Sequence, residues 1–389
     1  MTGSLSGTAA LYDGRKERIP WPDDEQGRYA QRYLQPILEQ PVSSYITNID
    51  TSLRVLGLCG HTVPVTVNST EYDSSYVCSP YTHYVTYAKE ELRLAGFRGL
   101  RPPLSALLDT MGVMLKMSGI NRVVQVNNWL LSTNLYPAIP EAAWEQAVSL
   151  LLDAYPSHAL IFRSLNRTLN GPLIERLVSH GFRLVPSRQI YLLKPSDDAS
   201  VSAKARWLVK RDYKLLSKHG YERLEPSALT PADIPRLTEL YRALYVEKYS
   251  ACNPQFTERF FAMALEQGLL QLHALRSIRT GRIDGVLGFF QREGVMTTPV
   301  FGYDTSLPQS LGLYRMLSAV LLELARANGC LLHESSGAAQ FKRNRGAWAE
   351  IEYSAVYDRH LPIRRQLGWA MLGSVLNGLG VPFIQKYKL

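Results

Sequence analysis

Two stretches of this sequence, 121–195 and 232–358, alternate strand-like and helix-like patterns in a matching order, and that echo constrains the fold more than any single motif. In the second stretch ADIPRLTELYRALYVEKY and TERFFAMALEQ read as two helices, LLQLHALRS and IDGVLGFFQR as a strand hairpin around the RTGR turn, and GVMTTPVFGYD as a third strand. A helix over 311–328 follows, with Leu313, Met316, Leu317, Val320, Leu321 and Leu324 on one face. CLLHES, AAQFKRNRG and EIEYSAVYD complete the order as strand, short helix and strand. The later half of that order recurs over 121–195. RVVQV reads as a strand, EAAWEQAVSLLLDAY as a helix (Trp144, Val148, Leu151 and Leu152 at helical spacing), HALIFRS as a strand and PLIERLVSH as a helix. FRLVPSRQIYLLKP reads as closing strands broken at Pro186. The expectation is an α/β (α+β) protein of two tandem units, each a mixed twisted sheet flanked by helices.

A length of 389 residues is ample for two cores. The expected divisions are a tail and lead-in over 1–40, a first unit over 41–198, a basic linker helix over 199–222, a second unit over 223–362 and an apolar helix and tail over 363–389. The first twenty residues carry no apolar signal core and read as a mobile tail. Four scattered cysteines without a CxxC pair, and eight histidines without ligand spacing, suggest neither a disulfide framework nor a metal site, and fit a cytoplasmic protein.

A net charge of +9 favours anionic partners. In the linker helix Arg206, Lys210, Lys214 and Lys218 recur every fourth residue and share one face, either solvated or facing phosphates or RNA. The uncharged stretch 366–385 contains four glycines and Pro382, which disfavours a spanning helix. It reads as a helix packed on the body or at a dimer seam. The other reading is peripheral membrane contact through the C-terminus, with Arg364, Arg365, Lys386 and Lys388 as basic ends.

The stretch SSGAAQFKRNRGA (335–347) places Lys342, Arg343 and Arg345 among small residues, just after the apolar run Cys330, Leu331, Leu332. Small residues admit a close approach, and adjacent cations can hold an anion or a developing oxyanion. His333 and Glu334 precede it; strand alternation sends only one to a cleft, and Glu334 is the preferred base. Tyr303 and Asp304 end the preceding strand, and the loop 249–257 offers Tyr249, Asn253 and Gln255 as polar contacts.

The element order over 232–358 is similar to that of the GNAT superfamily of N-acyltransferases. There, a Gln/Arg-x-x-Gly-x-Gly/Ala loop opens the helix after the fourth strand, and its amides bind the pyrophosphate of acyl-CoA. Gln309, Ser310, Leu311, Gly312, Leu313 and Tyr314 stand at that place, with Gln309 and Gly312 fitting and Tyr314 departing. Phe341, Lys342, Arg343 and Gly346 resemble a motif of Fem-type ligases and of related two-domain acyltransferases. The resemblance implies an acyl thioester donor, as acyl-CoA or an acyl-carrier phosphopantetheine, used as co-substrate without a tightly bound cofactor. The acceptor it implies is a small primary amine such as an amino acid. Lys342 would hold the oxyanion or the donor phosphate and Glu334 serve as base, while the acid would be the hydroxyl of Tyr303, Tyr314 or Tyr353, or none would be required. Phe341, Arg343 and Arg345 would join 309–314 around the donor, and Tyr249, Asn253 and His333 would meet the substrate. Two alternatives stay open: a ligase using aminoacyl-tRNA, and a non-catalytic tandem module binding tRNA or an acidic membrane. In the first unit the amide-rich NNWLLSTNLYP (127–137) replaces the phosphate loop, so that unit reads as a degenerate repeat that binds the acceptor or supports the second.

Overall fold

Cys59 and Gly60 both adopt positive φ, 47° and 74°, and this two-residue turn folds the alternating apolar segments on either side into a hairpin. The hairpin, Ser52–Leu58 (β2) and His61–Asn68 (β3), belongs to a part of the chain where the sequence reading placed no strand. The computed structural model describes residues 9–14, 16–94, 101–195 and 202–383. The chain divides into two units. Unit 1 comprises Met1–Arg188, Cys252–Pro254 and Ile351–Lys386; unit 2 comprises chiefly Gln189–Ala251 and Gln255–Glu350.

In unit 1, Ala10–Tyr12 (β1) pairs antiparallel with β2, and β3 pairs antiparallel with Val123–Val126 (β4). β4 runs parallel to Ala159–Leu165 (β5). The helices are Glu25–Glu39 (α1), Ala88–Leu94 (α2), Arg101–Met117 (α3), Glu141–Ala154 (α4) and Arg167–Ser179 (α5). Strand alternation supplies two faces. Val124, Leu160 and Phe162 pack with Trp144, Ala147 and Leu151 of α4, while Val123 and Ile161 pack with Met111 and Leu115 of α3. Residues 10–12, expected in a mobile tail, form β1 against β2, because β2 offers an unpaired edge; residues 1–8 lie outside the described residues.

Unit 2 repeats the sheet pattern. Tyr221–Leu224 (β7), Gln271–Ser277 (β8), Ile283–Arg292 (β9) and Val295–Tyr303 (β10) pair antiparallel in sequence, and β10 runs parallel to Leu331–His333 (β11). Its helices are Ala203–Tyr213 (α6), Leu215–His219 (α7), Ile234–Tyr241 (α8), Glu258–Glu266 (α9), Leu313–Ala327 (α10) and Ala339–Arg343 (α11). The expected linker helix is thus α6 and α7, and Leu208, Leu215 and Leu216 are buried while Arg206, Lys210, Lys214 and Lys218 are exposed. The stripe on α10 packs onto Leu287, Met296 and Leu332 as its spacing predicts.

The sixth strand of each sheet does not follow chain order. Arg183–Leu193 (β6) runs unbroken through Pro186, since proline keeps an extended φ range, and its Leu192 and Leu193 pair with β11 in unit 2. Trp348–Tyr357 (β12), expected to close the second unit, pairs through Tyr353–Tyr357 with β5 in unit 1. Ile363–Val375 (α12) then packs Trp369 and Leu372 into the unit 1 core beside Leu115 and Val356. No helix among the described residues is long and apolar enough to cross a membrane. α12 leaves Ile363 and Leu367 exposed, as α3 does Val113, Met114 and Met117. The basic end at Lys386 and Lys388 lies outside the described residues.

Candidate active site

β10 and β11 stay paired for only three positions, Val295 to Thr297 against Leu331 to His333, and then part. β10 continues to Tyr303 past a register shift between Thr297 and Val300, whereas β11 ends at His333 and residues 334–335 stay hydrogen-bonded to Tyr191. An opening beyond the carboxyl ends of parallel strands is where α/β folds seat ligands. Four elements of unit 2 meet at this one.

The first is the turn entering α10. Gln309–Leu311 forms a single 3-10 turn, in which the Leu311 and Gly312 amides are used by the carbonyls of Pro308 and Gln309. Gly312 takes the left-handed conformation at φ 78°, and a Cβ there would lie 3.0 Å from Leu215. The first-turn amides of α10, from Leu313 to Arg315, carry the positive end of a 15-residue helix. Gln309 and Ser310 are exposed beside it. Tyr314 packs its ring on Phe301, Tyr303 and Phe341.

The second element is Glu334. Its backbone N–H donates to the Tyr191 carbonyl at 2.9 Å, while the side-chain Oε2 is buried without a hydrogen-bond partner. Burial pushes its carboxyl up to about 6, against the opposing fields of Lys342 and Arg345. His333, one residue earlier, is buried on β11, and its Nδ1 accepts from the Ser335 amide at 3.2 Å. Its Nε2, like Glu334 Oε2, is buried without a hydrogen-bond partner.

The third is the 335–347 stretch. Lys342 is only 5% exposed, and its ammonium donates to the carbonyls of Glu334 at 2.6 Å, Ser336 at 2.8 Å and Ser335 at 3.4 Å. A lysine so engaged holds the turn that presents Glu334, and its charge acts on the opening as a fixed field. Arg345 sits over the Phe341 ring at 3.3 Å and is ion-paired with Asp212 of α6. Asp212 also accepts from Arg315 of α10 at 2.7 Å. Arg343 donates to the Tyr191 hydroxyl at 3.0 Å. Asp212 and Tyr191 did not stand out in the sequence: one lies inside a cationic run, the other inside an apolar strand.

The fourth is a π-helical turn, Arg242–Tyr249, continuing α8. Its widened winding re-aims side chains, a device frequent at functional sites. Lys248 donates to the Tyr303 hydroxyl at 3.1 Å, and Tyr245 and Tyr249 meet edge to face at 6.0 Å. Both tyrosines add to the field at Tyr314, as Glu334 does, and burial raises the Tyr314 hydroxyl well above its ordinary value. Gly302 lets β10 approach the end of α8, because a Cβ there would stand 2.5 Å from the Leu240 carbonyl oxygen. Asp304 is taken up locally, accepting from Ser306 and Arg236. Of the expected substrate contacts, Tyr249 is 41% exposed at the opening, while Asn253 lies in the Cys252–Pro254 segment of unit 1, its carbonyl accepting from Asn48.

No family model matches the sequence, and no curated protein matches it. Among solved structures the chain is similar to L-PGS from Bacillus licheniformis, with 16% identity, TM-score 0.44, and coverage of 60% of this chain and 80% of that one. It is similar to FemX at 8% identity and TM-score 0.45, covering 59% of this chain and 79% of that one. A GCN5-related N-acetyltransferase from Kribbella flavida shares 13% identity at TM-score 0.31, over 61% and 81% of the respective chains. Likeness at these scores carries neither activity nor substrate over to this chain.

Proposed function

We propose that the protein is a GNAT-like N-acyltransferase whose reaction takes place in unit 2, transferring an acyl group from a CoA or carrier-protein thioester to a primary amine. The observation that carries the reading is Glu334: a carboxylate without a hydrogen bond at Oε2, held at a pKa of about 6, at the point where β10 and β11 part. A general base works best with a pKa near the operating pH. Glu334 takes a proton from the acceptor ammonium, and the freed amine attacks the thioester carbonyl, forming the C–N bond. Collapse of the tetrahedral adduct breaks the C–S bond, and the departing thiolate takes the second amine proton, relayed by the Tyr303 hydroxyl that Lys248 holds. The α10 amides and Arg343 receive the donor phosphates, and Phe341, Tyr314 and Tyr249 line the way in. Lys342, Asp212 and Arg345 are positioning residues in this scheme.

A second reading replaces the thioester with an aminoacyl-tRNA. The exposed Arg206, Lys210, Lys214 and Lys218, with Trp207 exposed beside Arg211, support it, since such a face can track a polyanion and stack a base. The exposed apolar residues of α12 support a contact with a membrane surface.

Thermal shift and turnover with acyl-CoAs and with aminoacyl-tRNA, on wild type and Glu334→Gln, test the assignment. Stabilisation by acyl-CoA in both proteins, with turnover only in the wild type, is the expected result. A response to tRNA alone selects the second reading. Binding with equal turnover in both proteins removes Glu334 as the base, and binding without turnover in either leaves the non-catalytic module.

A further inference from the structure

The parted-strand arrangement occurs a second time, in unit 1, with the opposite charge at its centre. β4 and β5 are paired from Val123 and Ala159 to Val126 and Phe162. The next residue of β5 is Arg163, the place that Glu334 holds after β11. The segment leaving β4 turns sharply, with Asn127 and Leu130 at φ 55° and 62°, and brings the Asn128 side chain back to Arg163.

The Arg163 guanidinium makes two hydrogen bonds, both through Nη1 and both to neutral acceptors: the Val77 carbonyl at 2.9 Å and Asn128 Oδ1 at 3.1 Å. No carboxylate among the described residues forms an ion pair with it. Glu352, 2% exposed, lies in its field, but Arg188 engages that carboxylate from Nε at 2.9 Å and Nη2 at 3.4 Å. Arg188 is further fixed by the Ser132 carbonyl at 2.8 Å and Thr133 Oγ1 at 3.0 Å. Two guanidinium groups thus share one close carboxylate, with Glu91 a further acid in the field of Arg188.

His83 adds an unsatisfied group. Its Nε2 lies 2.9 Å from Ser187 Oγ, and its Nδ1 is buried without a partner. Burial and the fields of Arg163 and Arg188 bring its pKa down to about 3, so the ring is neutral. When Nε2 accepts the Ser187 proton, Nδ1 carries its own proton and is a donor. Tyr76 stands beside it, ring to ring at 5.6 Å, within the field of both arginines. A half-buried guanidinium that uses only Nη1, and only on neutral acceptors, leaves its Nε and Nη2 edge to an anion, and the unpartnered His83 Nδ1 is a further donor beside it.

We propose that unit 1 is an oxyanion-binding site, taking a carboxylate or phosphate group of a small molecule on the Nε and Nη2 edge of Arg163, with His83 and Tyr76 completing the contact. The inference rests on unit 1 alone and is independent of the acyl-transfer reading of unit 2.

Thermal melts and titration calorimetry on the full chain test it, with inorganic phosphate and with succinate as probes against chloride at matched ionic strength. The wild type is expected to gain about 5 °C in Tm at a hundredfold excess of the bound anion over its Kd. Which probe acts distinguishes a phosphate from a carboxylate ligand. Arg163→Met is expected to lose that response while melting, in chloride, at or above the wild-type temperature, because an unpaired charge has been removed. His83→Ala is expected to fold and to weaken the anion about tenfold, in line with one lost hydrogen bond to a charged group. Silence of the wild type towards both probes overturns the proposal, as does an undiminished response in Arg163→Met. If Arg163→Met does not fold, His83→Ala decides: a weakened response supports the site, and an unchanged one overturns it.

Discussion

Asp212 and Arg345 form an ion pair inside unit 2, Nε to Oδ2 at 2.8 Å, with 1% of the carboxylate side chain and 7% of the guanidinium side chain exposed. The other carboxylate oxygen holds Arg315 in the first turn of α10. One buried acid therefore fixes the basic turn and the start of the helix against each other.

Removing that acid leaves two cations facing each other without compensation. Asp212→Ala is expected to destabilise the protein by about 3–5 kcal/mol, the range for breaking one partner of a buried pair. Urea unfolding measures it. A loss below about 1 kcal/mol would show the pair to be energetically idle.

Glu334 gives a pH signature. Its folded pKa, about 6, stands above the ordinary 4.5, so its protonated form is the one that folding favours. Its contribution is present below pH 4.5 and lost as pH rises through about 6. Glu334→Gln is accordingly expected to be more stable than wild type at pH 7.5, by on the order of 1–2 kcal/mol, with the gap closing at pH 4.5. Melting both proteins across that interval reads the difference; a gap that is constant with pH would rule out a raised Glu334.

Lys342→Met keeps the bulk and removes the donor to the carbonyls of Glu334, Ser335 and Ser336. A loss of about 2–3 kcal/mol is expected, along with faster amide exchange over 334–337. Unchanged stability and exchange would return the ammonium to the oxyanion role that the sequence motif suggests.

Gly312→Ala places a side chain at φ 78° against Leu215. The strain is expected to cost about 1–2 kcal/mol and to shift the first turn of α10, weakening donor binding more than it lowers Tm. Calorimetry with acyl-CoA compares the two effects.

The helix stripes and buried strands of 232–358 were legible because their periodicity is a local property. β2 and β3 were legible in principle, with leucine and valine recurring over 53–58 and valine and threonine over 62–67 on either side of Cys59 and Gly60, but no asparagine-glycine pair advertises that turn. The partner of a strand is not local: nothing in EIEYSAVYD says that it lies beside β5 rather than β10. At the site, Glu334 and the 309–314 turn could be picked out by residue type and position. The engagement of Lys342 by three carbonyls, and the convergence of Asp212 on Arg315 and Arg345, depend on backbone turns that only the folded chain fixes.

The placement of β12 also sets a timetable for the nascent chain. β1 to β5 of unit 1 are synthesised before unit 2, yet the strand beside β5 and the helix that seats Trp369 are made after almost all of unit 2. Domains usually fold in the order in which they are synthesised. Here β1 to β5 must wait, the β5 edge open, until translation has passed Tyr357. A stop codon anywhere before that point would release a chain with neither a finished first sheet nor a cover for its apolar face.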